Sequence, residues 1–588
     1  MLRKTKIICT LGPATDREGV LRNLMLSGMN VARFNFSHQT HEQHKRRFDE
    51  IVQLRKELRL PIATLLDTKG PEIRLLNFKE GAATLQSGQT FSLYTKERLG
   101  DESGASITYS NLAQDVEIGN RILIDDGLIE MKVTNKTQEV ITCVVINGGK
   151  VSDHKGINVP DCHLSLPFVS QKDREDILFG IEMGYDFIAA SFTRSAQDIM
   201  DIREILNEKD CHSIKIIAKI ENMQGVENID EILKIADGIM VARGDMGVEI
   251  PFEQLPAIQK MLIKKAYRSG KQVITATQML ESMMNNPRPT RAETSDVANA
   301  IYDETSAIML SGETAAGKWP IEACRTMVKI AEQTERNIHY RKRFALREVR
   351  EDEIMGGNIT NAISKATITT AHTLDANAII TVTKSGNTAA MISKYRPNIP
   401  IIAGSTDSRV CRQMNLSWGV YPIILDEQTD ADALFEHALE VAQGEQFIEN
   451  GDLVVITAGV PLGVSGTTNM IKVQVVGNVL LSGHGITHTG ICGNLCVAKS
   501  EEEAIARFQK GDILVMRETS NRIIDLIRAS AGLIIEQGGT NSHAAIVGLT
   551  LNKPVIVGAK NATTILKNGV TVQMDAETGM VSSAGKIV

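Results

Sequence analysis

The chain has 588 residues, 43% hydrophobic and 23% charged, the balance of an ordinary globular protein of several domains. No stretch approaches the roughly 18 apolar residues of a membrane-spanning helix. The net charge of −7, with no long basic block, argues against nucleic acid or an anionic membrane surface as a partner. Eight scattered cysteines, and a start too poor in apolar residues for a secretory leader, point to reduced thiols in a cytoplasm.

In chain order, short β-rich runs first alternate with longer helical patterns. The runs are 5–9, 31–36, 62–67, 187–192, 215–220, 238–242, 272–276 and 307–310, and amphipathic patterns such as 17–27 and 229–235 follow most of them. Eight strands with eight helices predict a closed (β/α)₈ barrel, with a doubly wound sheet as the alternative that length alone does not exclude. From Gly70 to Pro167 the pattern changes to short alternating runs, as at 121–124 and 140–146, bounded by Gly, Asn and Asp. This reads as an inserted all-β domain. An insertion after a barrel strand lands at the catalytic mouth, where it can act as a lid.

After a polar helical stretch near 335–353, a second α/β block begins around Gly357, with strands expected at 378–382, 400–403, 420–424, 453–457 and 473–476. From about Leu481 a glycine-rich linker leads into a last α/β segment ending near Val588. The expected organisation is a barrel over 1–69 and 168–345, a lid over 70–167, an α/β domain over 356–476 and an extra α/β domain over 481–588.

Chemistry concentrates at the ends of the barrel runs. The second run ends with Arg33, Asn35 and Ser37 on one face, followed by His38. An arginine there suits bidentate phosphate binding. Asn35 and Ser37 offer neutral oxygens, and Asp67 and Thr68, ending the third run, add one carboxylate and a hydroxyl. One charge among neutral oxygens suits a monovalent cation better than Mg²⁺. An ordinary polar rim explains the same residues. Lys219-Ile220-Glu221 closes the fifth run, and Arg243-Gly244-Asp245 follows the sixth. Two carboxylates on adjacent strands suit Mg²⁺, and an ammonium beside them can neutralise a transferring phosphoryl group. A strand-end salt bridge reads Lys219 and Glu221 equally well. Arg74 lies at the hinge into the insertion, Thr277 ends the seventh run, and Ser311-Gly312-Glu313-Thr314 ends the eighth. So many polar strand ends are what a barrel active site looks like. The segment Gly312 to Lys318 nearly fits a phosphate-binding P-loop, but Trp319 stands where Ser or Thr must hold Mg²⁺, and Pro320 follows, so it is rejected.

These strings together resemble the pyruvate kinase family: Lys4 to Ala14, Asn30 to His38, Leu66 to Arg74, Lys219 to Asn222, Met240 to Asp245, Ala276 to Met283 and Met309 to Ala315, in the family's order, with the likeness covering about residues 1–476. The last segment resembles the phosphohistidine-type domain of phosphoenolpyruvate-utilising enzymes, an appendage of some bacterial members. The resemblance implies transfer of a phosphoryl group from phosphoenolpyruvate to ADP, giving pyruvate and ATP. It implies Glu221 and Asp245 on Mg²⁺, and Lys219 on the transferring phosphoryl group and developing enolate. Arg33 would grip the phosphate, and Gly244, Asp245 and Thr277 the substrate carboxylate. Asn35, Ser37, Asp67 and Thr68 would form a K⁺ site. Arg74 and Lys155 would contact nucleotide phosphates, His38 would lie near the nucleotide, and Lys172 is a weaker candidate there. Thr277, Ser311 and Glu313 are candidates for a proton relay to the enolate. Glu72 stands where K⁺-independent members carry Lys, so dependence on K⁺ is expected. A homotetramer is expected on the same ground.

The loop carrying Thr383, Ser385, Gly386 and Thr388 resembles the family's allosteric phosphate loop, although helix capping alone would explain it. Thr457-Ala458-Gly459-Val460-Pro461 lacks the Trp and Arg with which some members hold a bisphosphate, so a sugar monophosphate or AMP is the expected effector. In the last segment Asn541 replaces the usual Thr before Ser542-His543, and His543 is expected to be structural or regulatory rather than a phosphate carrier. His484, His488, Cys492 and Cys496 have the spacing of zinc ligands, but intervening glycines favour a linker with incidental ligands. The competing readings are a catalytically dead phosphometabolite sensor, or another phosphoenolpyruvate-using phosphotransferase.

Overall fold

The computed structural model describes residues 2–160, 162–351, 359–428, 430–449, 452–459, 468–477 and 479–583. The chain forms two compact units. The first takes the described residues up to Lys365 together with Thr383–Ile424; the second takes Ala366–Val382 and the described residues of 425–459 and from 468 onward. The block expected over 356–476 contributes to both units, and its expected start at 356–358 lies outside the described residues.

In the first unit eight strands close a parallel barrel: β1 (Lys6–Thr10), β2 (Val31–Asn35), β3 (Ala63–Asp67), β4 (Phe187–Ala190), β5 (Lys215–Ile220), β6 (Gly238–Ala242), β7 (Gln272–Ala276) and β8 (Ala307–Leu310). β8 pairs with β1, so no edge remains and the doubly wound alternative falls. The strands are buried on both faces, which is why they read as near-continuous apolar runs. Side chains such as Ile8, Leu65, Ile217 and Met240 fill the interior, while Phe34, Ile188 and Val241 face the helices. The fourth run ends at Ala190 rather than 192, because Phe192 takes a left-handed φ of 57° and leaves the ladder. Four helices of this unit begin with a reciprocal capping box: Thr40 with Gln43, Ser170 with Asp173, Ser195 with Asp198, and Thr290 with Glu293.

Between β3 and β4 the chain builds the expected all-β insertion. Its seven-stranded sheet contains Arg121–Ile124 and Val140–Asn147, packed over its own apolar core of Leu75, Phe91, Ile122 and Met131. The unit also holds a parallel pair, Ile401–Ser405 with Val420–Ile424, and the helix Ser408–Met414. That helix is tied to the barrel by charge. Asp186, fully buried just before β4, accepts from Thr64 N at 2.9 Å and from Arg412 Nε at 2.9 Å. Asp186→Ala would strand a largely buried guanidinium. It is expected to lower stability by about 3–5 kcal/mol, read as a drop in melting temperature, with Asp186→Asn losing less because its amide oxygen still accepts from Thr64.

In the second unit Ala378–Val382 and Leu453–Gly459 pair in parallel, and Thr468–Val475 runs antiparallel to the latter. The last segment forms an eight-stranded sheet over cores that include Leu495, Ile534 and Val572 on one side and Leu514, Leu533 and Val557 on the other. The expected glycine-rich linker from 481 is corrected here. Val479–Ser482 and Gly490–Val497 are strands of this sheet, paired with Met580–Ser583 and Thr571–Asp575. Its glycines serve close packing: a Cβ on Gly485 would lie 2.0 Å from the Ala576 carbonyl oxygen. Among the described residues no group of three or more His, Cys, Asp or Glu side chains gathers around His484, His488, Cys492 and Cys496.

Candidate active site

The barrel's C-terminal ends bring the separate sequence candidates into one buried network. Arg33, on β2, donates from Nε to Asp67 Oδ2 at 2.6 Å and from Nη1 to Thr10 Oγ1 at 3.0 Å. Lys219, on β5, lies 3.1 Å from Asp67 Oδ1 and 3.0 Å from Glu221 Oε1, and donates to Ser191 Oγ at 2.7 Å. Two cations and two carboxylates thus alternate from β2 through β3 to β5, with Asp67 and Glu221 at most 1% exposed. Burial alone would raise the Asp67 carboxyl, but Arg33 and Lys219 outweigh it and hold it below the usual carboxylate range. Burial likewise opposes the Lys219 charge, and Asp67 and Glu221 more than offset it, so the ammonium is held above its ordinary range.

Glu221 is the under-satisfied member. Its Oε2 accepts from Phe192 N at 2.5 Å, while its buried Oε1 accepts no hydrogen bond. Burial, with the Asp245 charge adding to it against Lys219, pushes its carboxyl up to about 8. A fully buried carboxylate whose Oε1 is held by the Lys219 ion pair alone, next to a second carboxylate, suits a hard divalent cation that keeps substrate and water in its remaining positions. Asp245 stands in the first turn of the helix Arg243–Glu249, which directly follows β6.

Thr277 follows β7 with φ at 64°, and Gln278 with φ at 52°. A β-branched residue in that region is strained, and Arg243 holds it there. Arg243 donates to the Ala276 carbonyl at 3.2 Å and the Thr277 carbonyl at 2.6 Å. Thr277 Oγ1 in turn accepts from Gly244 N at 2.8 Å. Glu313 is an anchor, its two oxygens accepting from Leu280 N and Ser311 N at 3.0 and 2.7 Å. Ser311 Oγ is buried without a partner among the described residues.

Asn35 and Asp67 are register neighbours on β2 and β3, Asn35 Oδ1 accepts from Ser37 N at 3.1 Å, and Thr68 follows directly, so these oxygens adjoin one another. Asp67 already serves Arg33 and Lys219. Lys172 lies beneath this loop and bonds Asp176 Oδ2 at 2.5 Å and the Phe36 carbonyl at 3.0 Å. These two bonds brace the loop.

A cleft of about 560 Å³ between the inserted domain and the barrel is lined by Arg74, Lys155, Asp125, Asn222, Asp245 and Glu249, among others. Both nucleotide candidates there are engaged within the inserted segment: Arg74 donates to Glu72 at 2.8 Å, and Lys155 to Asp125 at 2.7 Å. His38 is not part of that lining, and its carbonyl accepts from His44 at 3.0 Å. Asn158 Nδ2 bonds Glu249 Oε1 at 2.7 Å, joining the inserted domain to the helix that carries Asp245. At the expected effector loop, Thr383 Oγ1 accepts from Gly386 N at 3.1 Å, closing the turn before the helix Asn387–Ser393. Val460 and Pro461, which weighed on the choice of effector, lie outside the described residues. His543 makes hydrogen bonds at 2.9 Å with Thr519 Oγ1 through Nδ1 and with Asn521 Oδ1 through Nε2.

The sequence reading missed Ser191, Phe192, Thr10 and Arg243. Ser191 was hidden because the fourth run was carried to 192. The strand-end rule applied at Ala190 would have found it.

The family model for the pyruvate kinase barrel domain matches residues 2–324, that for the pyruvate kinase alpha/beta domain 361–474, and that for the mobile domain of PEP-utilising enzymes 508–579. The chain is 50% identical over 583 residues to the pyruvate kinase of Geobacillus stearothermophilus, and 48% identical over 582 residues to that of Sporosarcina psychrophila. Each match covers 99% of both chains. A crystal structure of a pyruvate kinase from Cryptosporidium parvum aligns with a TM-score of 0.76 at 39% identity, covering 81% of this chain and 96% of that one.

Proposed function

The chain belongs to the pyruvate kinase family, and from that premise we propose that the buried charge network at the barrel mouth is where its reaction takes place. The enzyme transfers the phosphoryl group of phosphoenolpyruvate to ADP, giving pyruvate and ATP. The observation that carries the siting is Lys219, fixed between Asp67, Glu221 and Ser191 and sharing Asp67 with Arg33. Such transfer needs positioning and neutralised charge more than covalent catalysis.

Arg33 and Lys219 hold the transferring phosphoryl group from two sides. Lys219 also faces the charge that develops on the enolate. Gly244, Asp245 and the strained Thr277 hold the substrate carboxylate, and Arg243 fixes Thr277. Glu221 and Asp245 bind Mg²⁺, which when bound supplies charge neutralisation for the phosphoryl oxygens. Asn35, Ser37, Asp67 and Thr68 hold K⁺, with Lys172 bracing their loop. Arg74 and Lys155 receive the nucleotide phosphates, which displace Glu72 and Asp125, and His38 is placed near the nucleotide. The unpartnered Ser311 hydroxyl, with Thr277, is the better relay for enolate protonation; Glu313 is occupied. Residues 70–167 act as the lid and exclude water.

Regulation is placed on Thr383, Ser385, Gly386 and Thr388 in an α/β domain over 356–476, with 481–588 as an appended domain. A sugar monophosphate or AMP is the effector. Activation by fructose 1,6-bisphosphate but by neither monophosphate would overturn that choice. All eight cysteines are unpaired, as suits a cytoplasmic enzyme, and the family's homotetramer is carried over. No described helix is long and apolar enough to cross a membrane.

The test is pyruvate formation from phosphoenolpyruvate and ADP, followed in a coupled assay with K⁺ present or omitted. Omitting K⁺ is expected to lower the rate about 10²-fold, the scale of losing one fixed charge at a phosphoryl site. Glu72→Lys, which brings its own cation, is expected to abolish that difference. Full activity of the natural chain without K⁺ would contradict the assignment of the cation site.

A further inference from the structure

A second cavity, of about 550 Å³, lies in the same compact unit at the foot of the barrel. Lys4, which precedes β1, lines it from one side. The other side is the turn from the helix Pro320–Arg336 into the helix Tyr340–Glu351. Strands of a (β/α)₈ barrel start at the face opposite the catalytic mouth, and the helix after the last strand returns to that face. The cavity is therefore separate from the site described above.

Its charge is one-sided. Lys4, Arg336, Arg341 and Lys342 all line it, and Glu335 is the one carboxylate among its described lining residues. Glu335 is already committed: its oxygens accept from Lys4 N at 2.8 Å and Thr5 N at 2.6 Å. Neither Arg336 nor Lys342 forms an ion pair among the described residues. The decisive group is Lys4. It is only 3% exposed, yet among the described residues its ammonium has no hydrogen-bond acceptor and no ion-pair partner, and it rests 5.3 Å above the Tyr340 ring. Buried ammonium groups are ordinarily paired, because desolvation without compensation is costly. The Tyr340 hydroxyl, from a second buried residue of the lining, also lacks a partner among the described residues.

We propose that this cavity binds a phosphate-bearing small anion, with Lys4 as the buried contact and Arg336 and Lys342 as its outer cations. Lys4, Arg336 and Lys342, set against one committed carboxylate, call for more than a single negative charge, which a phosphate group carries. The volume is in the range of small-molecule sites and has room for a sugar or nucleoside attached to the phosphate.

The test uses the full-length enzyme and acetic anhydride labelling of lysines, read by peptide mass spectrometry. Inorganic phosphate, glucose 6-phosphate and AMP are added in separate arms at millimolar concentration. Lys342 labelling is expected to fall several-fold in at least one arm, while exposed Lys56, elsewhere on the barrel, is labelled as before. Protection by inorganic phosphate as strong as by the esters identifies the phosphate group alone as the ligand. Stronger protection by one ester identifies the attached group as well. Arg336→Glu, at an exposed position that leaves the fold intact, is expected to raise the half-protecting concentration about tenfold, which corresponds to about 1.4 kcal/mol. Ser385→Ala is expected to leave protection unchanged. No protection of Lys342 in any arm overturns the proposal. So does protection that survives Arg336→Glu unaltered, or that disappears in Ser385→Ala and therefore originates at that loop.

Discussion

Replacing Lys219 with methionine is expected to lower kcat by about 10³-fold or more, the scale of removing a preorganised charge from a developing oxyanion or phosphoryl group. KM for phosphoenolpyruvate should change much less, because Arg33 remains to hold the phosphate. The substitution has a structural consequence too. Lys219 is the ammonium within ion-pair distance of both Asp67 and Glu221. Asp67 keeps Arg33, but Glu221 is left with the Phe192 amide alone. Breaking a buried pair from one side costs about 3–5 kcal/mol. The variant should therefore melt earlier, and Mn²⁺ or Mg²⁺ should recover part of the loss by replacing the missing charge. A stable variant with near-normal kcat would show that Lys219 is a strand-end salt bridge and no more.

Glu221→Gln is expected to act in opposite directions on activity and on stability. Divalent-metal affinity should fall about 10²-fold, as seen when an inward-facing metal carboxylate or its support is lost, and kcat at fixed metal should fall with it. Metal-free stability should rise. The Glu221 carboxyl is raised in the folded state, to about 8, by burial. Between the ordinary carboxylate range and that value the folded protein binds more protons than the unfolded one. Stability is therefore lost as pH rises through that window. Glutamine does not titrate. In metal-free buffer the variant should melt close to wild type near pH 5 and about 2 °C or more above it near pH 8. Saturating Mn²⁺ should reverse the order, since only the wild type gains from binding. Equal melting at both pH values would remove the argument that Glu221 is a strained buried acid waiting for a cation.

The fold was legible because barrel strands buried on both faces leave uninterrupted apolar runs, and because reciprocal caps mark helix starts. β5 to β8 fall where periodicity placed them. The two overrun ends, at Phe36 and at Phe192, are aromatic residues that continue the apolar pattern past the last strand residue. The strands from Val479 onward were read as a linker because glycine signals flexibility in sequence, whereas here it permits backbone contact, as at Gly485.

The same limit applies to the site. Strand-end polarity located Arg33, Asp67, Lys219, Glu221, Asp245 and Thr277, and the structure joins the first four into one network. Roles that depend on a backbone atom or on the direction of a long side chain were not legible. Lys172 is an example: it faces Asp176 and the Phe36 carbonyl, and nothing in Ser170-Gln171-Lys172-Asp173 indicates that. Glu313 is another, a strand-end carboxylate whose oxygens are taken by two amides.

The central claim is that transfer is direct, from phosphoenolpyruvate to ADP at the barrel mouth, with no phosphorylated residue between them. His543 is tied at both ring nitrogens, Nδ1 to Thr519 Oγ1 and Nε2 to Asn521 Oδ1, each at 2.9 Å. Rapid-quench analysis with ³²P-labelled phosphoenolpyruvate tests the claim most directly. With ADP, Mg²⁺ and K⁺ present, label should pass into ATP with no protein-bound phosphate at any time, and without ADP none should reach the protein. Label that accumulates on His543, or on any other residue, and is chased into ATP would contradict it.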